Sequence, residues 1–242
     1  MSLGTGDGAS AGNQIDPRPV LIVTGLVQEA RIAAGPGMVV ICSSSDPRQL
    51  RALLTVFDPS TIRGVISFGV AGGLDPSLKP GDIVLATEVV AGDGRWLAGL
   101  SLNEEVIANL ALKRRVVRGG LAGAEEVIVA QARKAALWLQ TGAAAVDMES
   151  HIAAAYAADA GLPFAALRVI SDSAHRSLPT LAKTAIRPDG KLDLRKILSG
   201  VVRDPSSVSA LVSTGIDFNR ALRSLRGCRS FLLGSEGFVT AA

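Results

Sequence analysis

Short apolar runs alternate with helix signals along most of this chain, and few folds other than a sheet covered by helices accommodate that alternation. Strands are expected at residues 19–24, 37–44, 64–69 and 83–90, with one or two more in 116–130 and others at 143–147 and 164–170. These runs are rich in Val, Ile and Ala and lack clean polar alternation, as burial on both faces requires. Helices are expected at 26–34, 46–57, 102–113, 131–140 and 150–160, and again toward residue 226. Asp46-Pro47 opens one of them with a capping acid and a proline in the first turn. Gly161, followed by Pro163, closes another. With no repeat, long linker or second composition regime, the expectation is one α/β domain over residues 17–230, a central mixed, mostly parallel sheet flanked by helices. Residues 1–16 are rich in Gly, Ser and Ala and lack the charged start and apolar block of a signal peptide, so a disordered leader is expected there.

Composition narrows the function classes. Only 4% of the 242 residues are aromatic, so Ala, Val, Leu and Ile must build the core. The net charge of +3 comes without a dense Lys/Arg run interleaved with aromatics, which argues against a nucleic-acid partner. Cys42 and Cys228 form no metal or redox spacing and read as free thiols in a reducing, cytoplasmic setting. With two histidines, His151 and His175, a histidine metal site is not expected, and no organic cofactor is indicated. No apolar run reaches the about 18 residues that a membrane span needs.

Two of the expected strands end abruptly in acids. One is Ala144-Ala145-Val146-Asp147-Met148-Glu149-Ser150 and the other Leu167-Arg168-Val169-Ile170-Ser171-Asp172. In an open α/β sheet, ligands bind in the crevice outside the carboxyl ends of the strands. Glu149, where a strand hands over to a helix, is expected to be held ionised by the helix N-terminus and to accept hydrogen bonds from neighbouring sugar hydroxyls. The alternative is that it only caps the helix. Asp172 beside an apolar pocket could donate a proton to a leaving base, with Ser171 orienting it. The alternative is a loop cap, or an ion pair with Arg168 or Arg176. Phe68-Gly69-Val70-Ala71-Gly72-Gly73 reads as a glycine-rich turn whose amides face a ligand, or as a plain tight turn. Glu29, just past the first strand, would join the set if the strands are parallel neighbours. Asp147 either shares the ligand-facing side with Glu149 or is a hydrogen-bonded neighbour. His151 reads as structural, and His175 as structural or as part of a lid.

Phe-Gly-Val-Ala-Gly-Gly-Leu, Pro-Gly-Asp-Ile-Val, Val-Asp-Met-Glu-Ser and Arg-Val-Ile-Ser-Asp-Ser, which occur in the family's order within a match over about residues 20–180, together resemble the nucleoside phosphorylase superfamily. Asp-Met-Glu-Ser-His, Arg-Ser-Leu-Pro and Arg-Pro-Asp-Gly (residues 187–190) resemble a narrower group, the hopanoid-associated phosphorylases, implicated in removing adenine from adenosylhopane. The resemblance implies that Glu149 binds the ribose hydroxyls, Met148 packs on the sugar and Asp172 protonates or hydrogen-bonds the purine. It implies that the segment with Gly72 and Gly73 faces the nucleophile side of the sugar, and that Glu29 activates water. Val146, Asp147 and Ser171 would complete the substrate site, and a homo-oligomer is expected.

The chain departs from the superfamily's pattern in three ways. The Gly-Asp-Pro-x-Arg phosphate loop is replaced by Gly25-Leu26-Val27-Gln28-Glu29, and the usual Arg before the glycine segment by Ile66-Ser67-Phe68. A phosphate dianion needs compensating donors or charge, so hydrolysis is favoured over phosphorolysis with phosphate as co-substrate; a nucleoside-binding module without chemistry is the third reading. The usual base-stacking Phe is not evident in residues 122–130. Residues 192–225 mix Leu, Val and Ile with Arg and Lys. They read either as an amphipathic helix touching a bilayer or as a C-terminal helix packed on the sheet.

Overall fold

A computed structural model describes residues 16–99, 104–178 and 208–233. The chain order is β1 (Val20–Thr24), α1 (Val27–Ala33), β2 (Met38–Cys42), α2 (Pro47–Thr55), β3 (Gly64–Gly73), β4 (Ile83–Ala91), β5 (Gly94–Leu97) and α3 (Glu104–Ala111). There follow β6 (Val116–Gly123), α4 (Gln131–Thr141), β7 (Ala145–Asp147), α5 (Ser150–Asp159), β8 (Phe164–Asp172), α6 (Val208–Gly227) and α7 (Arg229–Leu233). The eight strands form one mixed sheet with helices on both sides, the α/β architecture expected from the alternation. The expected turn at residues 188–190, the motif at 187–190, the leader through residue 15 and the first part of the 192–225 segment lie outside the described residues.

The sheet is not open. β3 pairs with β7 and β8, β7 with β6, β6 with β4, and β4 back with β8, so five strands close a ring of pairings. β1 and β2 extend the sheet from β3, and β5 forms a hairpin with β4. The closure depends on irregularities in the long strands. The register shifts between Ala71 and Gly72 in β3 and between Ala86 and Val89 in β4, and such bulges bend a strand and increase its twist. β7, which leads into Glu149, is antiparallel to β3, not a parallel neighbour.

The glycine-rich segment 69–73 is likewise not a turn. It is the second half of β3, with Gly72 opposite Val146 and Gly73 opposite Ala145. These glycines serve close approach: a Cβ on Gly69 would stand 2.6 Å from both Arg168 Nη1 and Glu29 Oε1. The short edge strand β5 carries little periodicity and was not expected from the sequence.

Both sheet faces are packed. Along β1, Leu21 and Val23 point into one apolar cluster with Leu50 and Ile152, while Val20 and Ile22 point into another with Leu222, Leu225 and Phe231. The alternation of the strand thus serves two cores. The described C-terminal helices supply the second: Ala221, Leu222 and Leu225 are buried, and α6 packs along β8. This is the packed-helix reading of that part of the tail. No helix among the described residues is long and apolar enough to cross a membrane.

Candidate active site

Where β1, β3, β7 and β8 come together, a cavity of about 180 Å³ opens. Glu29, Gly72, Val146 and Asp147 line it, and so do Met148, Glu149, Ser171 and Asp172. Of the residues expected there, only Gly73 is not in the lining. It packs beneath, where a Cβ would stand 3.1 Å from the Asp172 carbonyl oxygen. Both histidines lie outside the lining. His151 is buried with Nε2 3.0 Å from Glu125 Oε1, and His175 is exposed.

The floor holds three acids around one cation. Glu29 sits in the first turn of α1 and folds back, so its Oε2 accepts the Gly25 and Leu26 N–H groups, each at 2.8 Å. Its Oε1 accepts the Val70 N–H at 2.8 Å. An N3 glutamate reaching the start of its own helix satisfies amides that the helix leaves unpaired; here it also spans to β3. Asp147 stands in for a cap at the start of α5, its Oδ1 accepting the N–H groups of Glu149 (2.8 Å) and Ser150 (2.6 Å). Its Oδ2 lies 3.1 Å from Arg168 Nε. Both oxygens thus face protein, and Asp147 supports the floor more than it offers itself to a ligand.

Arg168, wholly buried in the middle of β8, is the only cation of this group. It donates to Ser67 Oγ at 2.6 Å and to Ser150 Oγ, and its Nη2 lies 3.6 Å from Glu149 Oε2. One guanidinium cannot neutralise three carboxylates in a dry environment. Burial, opposed by the Arg168 charge and reinforced by Asp147 and Glu29, pushes the Glu149 carboxyl up to about 7. Burial also raises Glu29, against Arg168 and its three backbone amides. The expectation that the helix N-terminus holds Glu149 ionised is therefore overturned. Asp147, not Glu149, takes the amides of Glu149 and Ser150 at the start of α5, and the Glu149 side chain makes no cap hydrogen bond. Glu149 Oε1 instead accepts from Ser43 Oγ at 3.2 Å. A Cβ on Gly25 would stand 2.6 Å from Glu149 Oε1, so the tight turn after β1 is shaped around this carboxyl.

The wall is built differently. Asp172 closes β8 and is matched by a single lysine, Lys134 of α4, whose ammonium bonds Asp172 Oδ2. Neither Arg168 nor Arg176 is the partner; Arg176 instead pairs with Asp217 of α6. Ser171 Oγ lies 2.7 Å from Asp172 Oδ1 and 3.1 Å from the Ala71 carbonyl. Above the wall, Ile128, Leu178 and Phe218 add apolar surface.

Several of these residues escaped the sequence reading. Arg168 was legible as a lone charge inside an apolar strand, a position that demands partners. Lys134 was legible as a basic residue at the start of a helix, where the dipole disfavours it. Phe218, the aromatic lining residue, comes from α6 and not from the segment before β7. Ser43 and Ser45 lie in the turn after β2 and carry no local signal of a site.

Residues 17–203 match the family model of the phosphorylase superfamily, and the chain belongs to that superfamily. Among solved structures, it resembles the 5′-methylthioadenosine/S-adenosylhomocysteine nucleosidase of Helicobacter pylori with 18% identity and a TM-score of 0.62, over 90% of this chain and 97% of that one. The corresponding nucleosidase of Neisseria meningitidis matches with 17% identity and a TM-score of 0.62, over 90% and 98%. Futalosine hydrolase of Helicobacter pylori matches with 17% identity and a TM-score of 0.59, over 90% and 97%. At these identities the likeness is one of fold.

Proposed function

We propose that this protein hydrolyses the N-glycosidic bond of an adenosyl nucleoside and releases adenine. The observation that carries the reading is the charge of the cavity lining. Five carboxylates (Glu29, Glu126, Asp147, Glu149 and Asp172) line it, and the described lining residues include no lysine or arginine. The cations behind these acids, Arg168 and Lys134, are fully buried and already committed to them, so no side-chain cation faces a phosphate dianion in the described lining. Such a lining suits a sugar that gains positive charge as the bond to the base stretches, as in other glycoside cleavages.

In this reading Glu149 takes the ribose hydroxyls and Met148 packs on the sugar. Glu29 orients a water and accepts its proton as the oxygen bonds to the anomeric carbon. Asp172 gives a proton to a ring nitrogen of the departing base, so the base leaves neutral. The structural neighbours, named as 5′-methylthioadenosine/S-adenosylhomocysteine nucleosidases and futalosine hydrolase, support hydrolysis of this kind of bond. Leu26, Ile128, Leu178 and Phe218 give the cavity apolar surface for a large group at the sugar 5′ position. Adenosylhopane is the substrate that the sequence resemblance favours, and a homo-oligomer is its assembly counterpart.

Adenine release from adenosine, 5′-methylthioadenosine and adenosylhopane, followed with and without phosphate, tests the proposal. Release in phosphate-free buffer with free sugar as co-product is the expected result. Strict dependence on phosphate, with a sugar 1-phosphate as product, would remove the role given to Glu29. Tight nucleoside binding without release would make the protein a binding module.

A further inference from the structure

Lys134 is fully buried, and a buried lysine is costly unless every donor is used. Here all three are: the ammonium bonds Asp172 Oδ2, the Ser173 carbonyl at 2.9 Å and the Arg176 carbonyl at 3.1 Å. Helix α4 gives no reason for a cation at this place. Lys134 lies in its first turn, where the macrodipole disfavours positive charge, and that turn holds no acid. The other oxygen of Asp172 has a different environment. Ser171 Oγ stands within hydrogen-bond reach of both Asp172 Oδ1 and the Ala71 carbonyl, but a hydroxyl has one proton. Oδ2 is therefore committed to the ammonium, while Oδ1 has at most a share of the one Ser171 hydroxyl proton and is the oxygen from which a proton can pass to a base.

We propose that Lys134 is a positioning residue for proton delivery, holding the carboxylate that Asp172 becomes once it has protonated the leaving base. The inference rests on the hydrolase reading above. In the step, the Oδ1–H bond of Asp172 breaks and an N–H bond forms on a ring nitrogen of the base. The electron pair of the broken bond stays on the carboxyl group, and the negative charge so formed lies against the Lys134 ammonium. No proton leaves Lys134. Because the ammonium is anchored by two carbonyls, it need not reorganise as the charge develops, which is how a preorganised donor lowers a barrier.

Single-turnover and steady-state release of adenine by wild type, K134M, D172N and the double variant tests this. General acid catalysis contributes about 10²–10⁴-fold, so K134M is expected to lose about 10²-fold in kcat with KM within about threefold. The double variant is expected to be no slower than D172N alone, because Lys134 acts only through Asp172. Losses that multiply in the double variant, or a K134M defect confined to KM, overturn the inference. Loss in D172N with full activity in K134M overturns it while leaving the hydrolase reading intact. Full activity in D172N overturns the role given to Asp172, and this inference with it. Should K134M not fold, K134Q, which keeps a donor but not the charge, replaces it under the same criteria.

Discussion

The floor and the wall of the cavity each bury a cation among carboxylates, yet their charge balance differs. On the wall, Lys134 meets Asp172 one to one and fixes its remaining donors on two carbonyls. On the floor, Arg168 serves Asp147, Glu149 and Glu29 together. The first arrangement is closed and can stabilise a charge that appears on one oxygen. The second is short of positive charge, so Glu149 is held near the point of taking up a proton, at about 7. A single strand, β8, carries both Arg168 and Asp172 and so separates the two electrostatic regimes by four residues of chain.

The largest effect that would sharpen this contrast is on the wall. D172N is expected to lower adenine release by about 10²–10⁴-fold, read as kcat in phosphate-free buffer; a loss under tenfold would take the proton-delivering role from the wall. On the floor, R168M leaves three buried acids without a counterion. Removing one partner of a buried ion pair typically costs about 3–5 kcal/mol, so its urea midpoint should fall well below that of wild type. A midpoint equal to wild type would show that the floor acids do not depend on Arg168.

The next effect is steric. A methyl group at Gly69 meets both Arg168 and Glu29 at 2.6 Å. G69A is expected to cost about 1–3 kcal/mol, the usual range for overpacking, and to lower activity by displacing Glu29. Unchanged unfolding and turnover would mean that the floor yields easily.

The smallest expected effect is the pH dependence of the floor. Between the ordinary carboxyl value of 4.5 and about 7, Glu149 is protonated in the folded protein and ionised in the unfolded chain. The folded state therefore binds more protons, and the Glu149 contribution to stability falls as pH rises through that window. Nucleoside binding should move the other way, since ionised Glu149 accepts from two sugar hydroxyls. KM is expected to fall as pH rises through about 7, and E149Q to flatten that dependence. A flat wild-type profile would place Glu149 away from the sugar.

The elements and the acids were legible in the sequence because strand ends, caps and buried runs leave local signals. Asp46 before Pro47 does cap α2, accepting from the Arg48 N–H at 2.9 Å. The closure of the sheet was not legible, since it depends on bulges at Ala71/Gly72 and Ala86/Val89 that no local pattern marks. The glycines of β3 were misread as a turn because a glycine that admits a neighbour's side chain looks, in sequence, like one that reverses the chain. Partner choice was least legible. Lys134 and Asp172 are 38 residues apart, and only the packing of α4 against the loop after β8 makes them a pair.

The most direct test of the account is a crystal structure with a non-hydrolysable adenosine analogue bound. The account places the base against Asp172 and Lys134, the ribose hydroxyls on Glu149, and a water between Glu29 and the anomeric carbon. A nucleoside bound in the reverse orientation, with its sugar on Asp172, or bound outside this cavity, would contradict it.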